Sequence, residues 1–228
     1  MALILNIETA TRSCSVSIGQ DGECIALKEE FNERYSHAEK LTVFIEELLA
    51  SANLKLSDLD AIAVSKGPGS YTGLRIGAST AKGLCYALDI PLISVDTLHA
   101  IAHLSNQHPT PCYIVPMIDA RRMEVYAAVY DQDLKEIRGV QADIIDESSY
   151  RELMDERPTI FLGDGAGKCA EVLGTHANAT VLNDVAASAK SMVKLSEEAF
   201  SAECLEDTAY FEPFYLKEFV AGVPKKLL

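Results

Sequence analysis

Positive charge, paired cysteines and long apolar runs are all scarce in this chain of 228 residues. Twenty basic residues stand against 34 acidic ones, a net charge of −14. That balance disfavours independent binding to a polyphosphate, and the short Lys225-Lys226 pair is the local positive charge the sequence offers in return. No stretch approaches the ~20 apolar residues needed to span a bilayer, so no membrane association is expected. MALILNIETA lacks a basic leader ahead of an apolar segment and cleavage site, so the expected location is cytoplasmic. The six cysteines (Cys14, Cys24, Cys85, Cys112, Cys169, Cys204) include no CxxC pair and read as buried free thiols, not as a zinc site or disulfide framework. What remains is ordinary for a globular chain of one or two domains: 48% hydrophobic and 24% charged.

The first thirty residues read as a strand meander. LILNIETA opens as a buried strand, CSVSI alternates, and Gln20-Asp21-Gly22 turns the chain into CIALKEEF. From 36 to 52 the period becomes helical, with Leu41, Phe44, Ile45, Leu48 and Leu49 on one stripe. Ser36 and Glu39 have the spacing of a capping box. A strand at 61–66 runs into a glycine-rich loop and a helix over about 73–88, followed by the strand PLISV and a helix near 97–105. The polar stretch 105–111 is the best boundary, dividing the chain into 1–108 and 109–228. The second half begins as the first does, MIDARR answering NIETATR, then EVYAAVY, a turn at Asp131-Gln132-Asp133, TIFLGDGAG, and a helix over 188–202. This predicts an α/β protein with a divergent internal duplication, a mixed sheet flanked by helices in each half.

The most informative segment is Gly67-Pro68-Gly69-Ser70-Tyr71-Thr72-Gly73-Leu74-Arg75-Ile76-Gly77. It joins a strand to a helix, Thr72 is placed to cap that helix, and the helix N-terminus would favour an anion. A tight turn with no ligand is the alternative. GPGSYTGLRIG closely resembles the GPGSFTGLRIG signature of the TsaB (YeaZ) family, Tyr71 being a conservative departure. Asp119-Ala120-Arg121-Arg122-Met123-Glu124-Val125-Tyr126 is similar to that family's DARRGEVY, with Met123 where glycine is usual. Gly163-Asp164-Gly165-Ala166 matches its GDGA turn, and Pro213-Phe214-Tyr215-Leu216-Lys217 resembles PxYLR with lysine for arginine.

The resemblance implies an actin/Hsp70-like (ASKHA) duplicated fold. It also implies a non-catalytic subunit of the machinery that transfers threonylcarbamoyl to tRNA adenosine. Such a subunit pairs with a catalytic TsaD-type homologue, works beside a TsaE-type ATPase, meets tRNA only through the complex, and forms a homodimer when TsaD is absent. Actin-like nucleotide sites use Asp-x-Gly turns at the start of each half. Here Glu8-Thr9-Ala10-Thr11 and Asp119-Ala120-Arg121 lack the glycine, which argues against the alternative of an ATP-dependent phosphotransferase. Arg121 would crowd the phosphate position, or else pair with a nearby carboxylate. A metallopeptidase is weaker still: His37 stands where TsaD-type proteins carry HxxxH, but position 41 is leucine. His99 and His103 share a helical face without the glutamate of a metalloprotease helix, and the plainer reading is a half-buried pair. No catalytic residue and no metal ligand is assigned. Gly163, Asp164 and Gly165 are candidates for a weak nucleotide contact, or simply a strand-to-helix turn. The helix 73–88 has more apolar surface than a sheet-packed helix needs. On that surplus and on the resemblance, in which like domains pair through these helices, Leu41, Phe44, Ile45 and Leu48 with Ile76, Gly77, Ala81 and Leu84 are the expected partner interface, with one face of the second helix core and the other docking surface; burial between the sheet and the helix over 36–52 is the alternative.

Overall fold

The computed structural model describes residues 2–31, 37–105, 111–183 and 185–217. Strands β1 (Leu3–Glu8), β2 (Ser13–Gln20) and β3 (Glu23–Phe31) form the expected meander. The β2–β3 turn is two residues long, with Asp21 and Gly22 both at positive φ, which is the hairpin geometry that Asp-Gly favours. Helix α1 (His37–Ser51) follows, then β4 (Ala61–Gly67), α2 (Tyr71–Leu88), β5 (Leu92–Asp96) and a short α3 (Thr97–Ala102). The second half repeats the plan with β6 (Tyr113–Asp119), β7 (Glu124–Asp131), β8 (Glu136–Ile144), α4 (Arg151–Glu156), β9 (Thr159–Leu162), α5 (Ala170–Leu173) and β10 (Ala179–Leu182). A 3-10 turn at Ala189–Met192 leads into α6 (Val193–Ser201). Ser36 and the centre of the expected boundary, 106–110, lie outside the described residues, as does Lys225-Lys226.

The two sheets share one topology. The first runs β3-β2-β1-β4-β5 and the second, read from the matching end, β8-β7-β6-β9-β10. In each, a three-stranded antiparallel meander is extended by two parallel strands. This repetition is the actin-like duplicated fold. Each helix that follows the fifth strand packs outside its own sheet's core. Leu98 and Ile101 of α3 join Ile114, Ile118, Ile160 and Leu162 of the second sheet. Met192 and Leu195, from the segment leading into and through α6, join Ile4, Ala63 and Ile93 of the first.

That exchange explains β2, whose alternation on its own describes a strand with one wet face. Seven of its eight residues are buried. The serine face is covered by the 3-10 turn before α6: Ser17 Oγ donates to the Ala189 carbonyl at 2.9 Å, and Ser15 Oγ accepts from the Ala189 N–H at 2.9 Å. The opposite face packs against α1 and α2, where Leu41, Leu48, Ile7, Ile18 and Ile62 are almost wholly buried. Each such side chain contributes about 1.5–3 kcal/mol through burial.

Candidate functional site

The glycine-rich loop between β4 and α2 is pressed onto the β1–β2 hairpin. The helix starts at Tyr71, and its N-cap is Ser70, two residues before the Thr72 cap the sequence pointed to. Both residues carry a hydroxyl, but Ser70 has the extended backbone of a cap, and its Oγ accepts from the Gly73 N–H at 3.3 Å. The Ser70 N–H donates to the Ala10 carbonyl at 2.6 Å, and Thr9 Oγ1 donates to the Gly73 carbonyl at 2.8 Å. A Cβ on Gly73 would stand 2.1 Å from the Thr9 carbonyl oxygen. Glycine is needed here for close approach of protein to protein. Two of the backbone donors at this helix end are used internally, the Gly73 N–H by Ser70 and the Ser70 N–H by Ala10.

Across the cleft, the β6–β7 hairpin rests on the GDGA turn. The Asp119 N–H donates to Asp164 Oδ1 at 3.0 Å, and Asp119 Oδ1 accepts from the Arg121 N–H at 2.8 Å and from Lys168 Nζ at 2.5 Å. Gly163 has φ +104°, and a Cβ there would meet the Met117 carbonyl oxygen at 2.3 Å, while the Gly165 N–H donates to that same oxygen at 3.0 Å. Arg12, Phe31, Asp119, Gly163, Asp164 and Asn183 help to line a cleft of roughly 670 Å³ between the halves. Glu8, close enough to Asp164 to feel its charge, is wholly buried. Its Oε1 accepts from the Ala10 N–H at 2.6 Å and from Ser65 Oγ at 3.1 Å, while Oε2 has no partner among the described residues. Burial pushes the Glu8 carboxyl up to about 7 against those two hydrogen bonds, and the nearby Asp164 adds to the rise. Burial also raises Asp164. A cleft that gathers carboxylates and fills its glycine loop with its own backbone is a poor fit for a nucleotide's phosphates.

The surface outside α1 and α2 has the opposite character. Leu41, Phe44 and Leu48 lie in the core beneath it with Gly77 and Ala81, and Ile45 is buried at the groove's edge. Ile76 and Leu84 are half-buried, each packing on the edge of the core while lining a hollow that Thr80 also borders. Thr42, Ile45, Leu49, Leu54, Thr80 and Leu84 help to line an apolar groove of roughly 490 Å³, and Thr80 also lines a second hollow beside Tyr71, Arg75 and Ile76. The two hollows thus meet along α2. The C-terminal segment frames this face: Tyr215 packs on Tyr71, with ring centres 4.9 Å apart, and Lys82 Nζ donates to the carbonyls of Ala209 and Phe211. That framing was invisible in the sequence, where PFYLK was only a motif.

His37, His99 and His103 make structural contacts. His37 Nε2 hydrogen-bonds the Thr11 carbonyl at 2.9 Å, and burial lowers its pKa. His99 stacks on Tyr130 at 5.2 Å and lies 5.1 Å from His103, which burial, helped by the charge of His99, holds at about 4. Among the described residues no three His, Cys, Asp or Glu side chains converge as metal ligands would. Cys14, Cys85, Cys112 and Cys169 are buried free thiols, as expected, whereas Cys24 is half-buried and Cys204 exposed.

Comparison with known proteins agrees with the motifs. The family model for TsaD, tRNA N6-adenosine threonylcarbamoyltransferase, matches residues 32–221. The chain is 30% identical over 231 residues to the tRNA threonylcarbamoyladenosine biosynthesis protein TsaB of Haemophilus influenzae, spanning 95% of this chain and 94% of that one. It is equally 30% identical over 223 residues to TsaB of Escherichia coli, spanning 96% of each. The solved structure of YeaZ from Pseudomonas aeruginosa superposes with a TM-score of 0.79 at 26% identity, covering 95% of this chain and all of that one. By its motifs, its duplicated fold and this similarity along nearly its whole length, the chain belongs to the TsaB (YeaZ) family of tRNA threonylcarbamoyladenosine biosynthesis proteins.

Proposed function

We propose that this chain is a non-catalytic subunit of the threonylcarbamoyladenosine machinery and that it supports a TsaD-type catalytic homologue by docking through the α1–α2 face. The observation that carries this reading is the apolar groove between those helices, lined by Ile45, Leu49 and Leu84 and adjoined along α2 by the hollow beside Ile76. Leu41, Phe44, Leu48, Gly77 and Ala81 serve the same face from below by fixing both helices on the sheet. An apolar trough between two helices suits helices of a like domain, because ridges of one pair settle into grooves of the other. The same face serves a second copy of this chain when the TsaD-type partner is absent.

The cleft favours a supporting role. Two of its loop donors, the Ser70 and Gly73 N–H groups, are used internally, Arg121 occupies the turn where an Asp-x-Gly glycine is expected, and Glu8 is buried. Gly163, Asp164 and Gly165 act in this reading as the turn that anchors the second hairpin. The halves 1–108 and 109–228 are the units that the duplication implies. A TsaE-type ATPase supplies nucleotide turnover, and tRNA is held by the assembly. Reconstituted threonylcarbamoyl transfer with TsaD- and TsaE-type proteins, with and without this chain, tests the reading. Transfer should require the chain, and equal transfer in its absence would refute the proposal.

A further inference from the structure

The β6–β7 hairpin carries two adjacent arginines, Arg121 and Arg122, both exposed. Both hold left-handed backbone, with φ of 72° and 51°, a region where glycine or asparagine is the relaxed choice. The carboxylates at either end of the hairpin are already matched: Asp119 with Lys168 and Glu124 with Lys217, each pair at 2.5 Å. Neither arginine has an ion pair or a side-chain hydrogen bond among the described residues. The hairpin and its contacts therefore gather four cationic groups, Arg121, Arg122, Lys168 and Lys217, around three carboxylates, Asp119, Glu124 and Asp164, in a chain whose net charge is −14. An isolated surface arginine needs no explanation. Two neighbours held in left-handed backbone at a hairpin turn, with no ion pair among the described residues of an acidic protein, stand open to an anion from outside.

The hairpin is also firmly placed. The Asp119 side chain accepts from the Arg121 N–H, and the Asp119 N–H is tied to Asp164. We infer that Arg121 and Arg122 contact the phosphate backbone of tRNA when this chain sits in its complex, an inference that rests on the function proposed above. A guanidinium offers a planar fork of donors that matches a phosphodiester. A single enclosed anion fits less well, because the neighbouring cleft sets the carboxylates of Asp119 and Asp164 against Arg12 and Lys168, leaving no surplus of positive charge there. An exposed hairpin instead meets a chain of phosphates, and the acidic remainder of the molecule keeps the contact weak until partners bring the tRNA to it.

The test measures tRNA affinity of the assembled complex across a salt series, with the wild-type chain, with Arg121→Gln/Arg122→Gln, and with Arg121→Lys/Arg122→Lys. The glutamine variant should weaken binding and flatten the slope of log affinity against log salt by about 1 for each arginine. The lysine variant should retain most of that slope, since it keeps the charge. Circular dichroism should show both variants folded. An unchanged slope in the glutamine variant overturns the inference. So does loss of assembly by light-scattering mass, which would make the arginines a docking site for an acidic protein surface. Transfer that proceeds without the wild-type chain defeats the underlying function itself, and it is distinguishable because no variant is involved.

Discussion

Thr9 and Gly73, 64 residues apart in the chain, are joined where the Thr9 hydroxyl donates to the Gly73 carbonyl at 2.8 Å. The contact sets the first turn of α2 against the β1–β2 hairpin and leaves no room for a side chain at position 73. Gly73→Ala should therefore destabilise the protein by about 1–3 kcal/mol, because the added Cβ meets backbone that can move only with the helix. Gly83, exposed in the same helix with nothing within 4 Å of its would-be Cβ, supplies the control. There alanine should stabilise by about 0.5–1 kcal/mol through helix propensity. Urea midpoints at unchanged m-value read both, and a stabilising Gly73→Ala would show that the loop is looser than described.

Glu8 makes stability depend on pH in an unusual direction for a carboxylate. Its folded pKa of about 7 lies above the ordinary 4.5, so the folded state binds the proton more tightly than the unfolded chain. Its contribution is fully present below about 4.5 and is lost as pH rises through about 7, an effect of order 3 kcal/mol. Glu8→Gln keeps an acceptor for the Ala10 N–H and Ser65 but carries no charge. The variant should match wild type near pH 5 and exceed it in stability near pH 8. Parallel denaturation curves at the two pH values check this, and an equal gain at both would assign the effect to something other than ionisation.

The sequence makes the meander, α1, α2 and the motif order legible because each rests on a local pattern of several residues: the Asp21-Gly22 turn, the Leu41 to Leu49 stripe, the glycine signature. It does not disclose α4, α5 or β10, whose four to six residues are too few to show a period. It misplaces the α2 cap, since Ser70 and Thr72 are equally able to accept a hydrogen bond and only the hairpin beneath decides between them. The charge environment of the cleft is hidden for a different reason. Glu8, Ser65 and Asp164 come from three strand ends, and their burial arises from packing that no single segment encodes. Arg121 reads in sequence as a residue that crowds a phosphate or pairs with a carboxylate; in the fold it makes no ion pair among the described residues, since Lys168 and Lys217 hold the neighbouring carboxylates.

The free chain should bind tRNA poorly despite the β6–β7 arginines. A net charge of −14 opposes the approach of any polyphosphate, and two phosphate contacts add little against it at physiological salt. Filter binding near 0.15 M salt, without partners, should give no sub-micromolar affinity. Such affinity, if found, would mean that this chain recruits tRNA by itself.

Helix α2 offers two faces whose substitution should have opposite effects. Ala81 is 0% exposed and packs in the core with Leu48, Ile62 and Val64, so a glutamate there must either bury its charge or lift the helix from the sheet. Ala81→Glu should cost several kcal/mol in order of magnitude and leave little folded protein. Ile76 and Leu84 are half-buried beside the groove, and a glutamate at either position can reach water without disturbing the sheet. Ile76→Glu and Leu84→Glu should therefore keep the wild-type melting profile within about 1 kcal/mol while losing association with a TsaD-type partner and with a second copy of the chain. Circular dichroism melts separate folded from unfolded variants, and light-scattering mass reads association on the same samples. If Ile76→Glu and Leu84→Glu remain folded and still associate as wild type does, the α1–α2 groove is not the docking face and the proposed subunit arrangement must be abandoned.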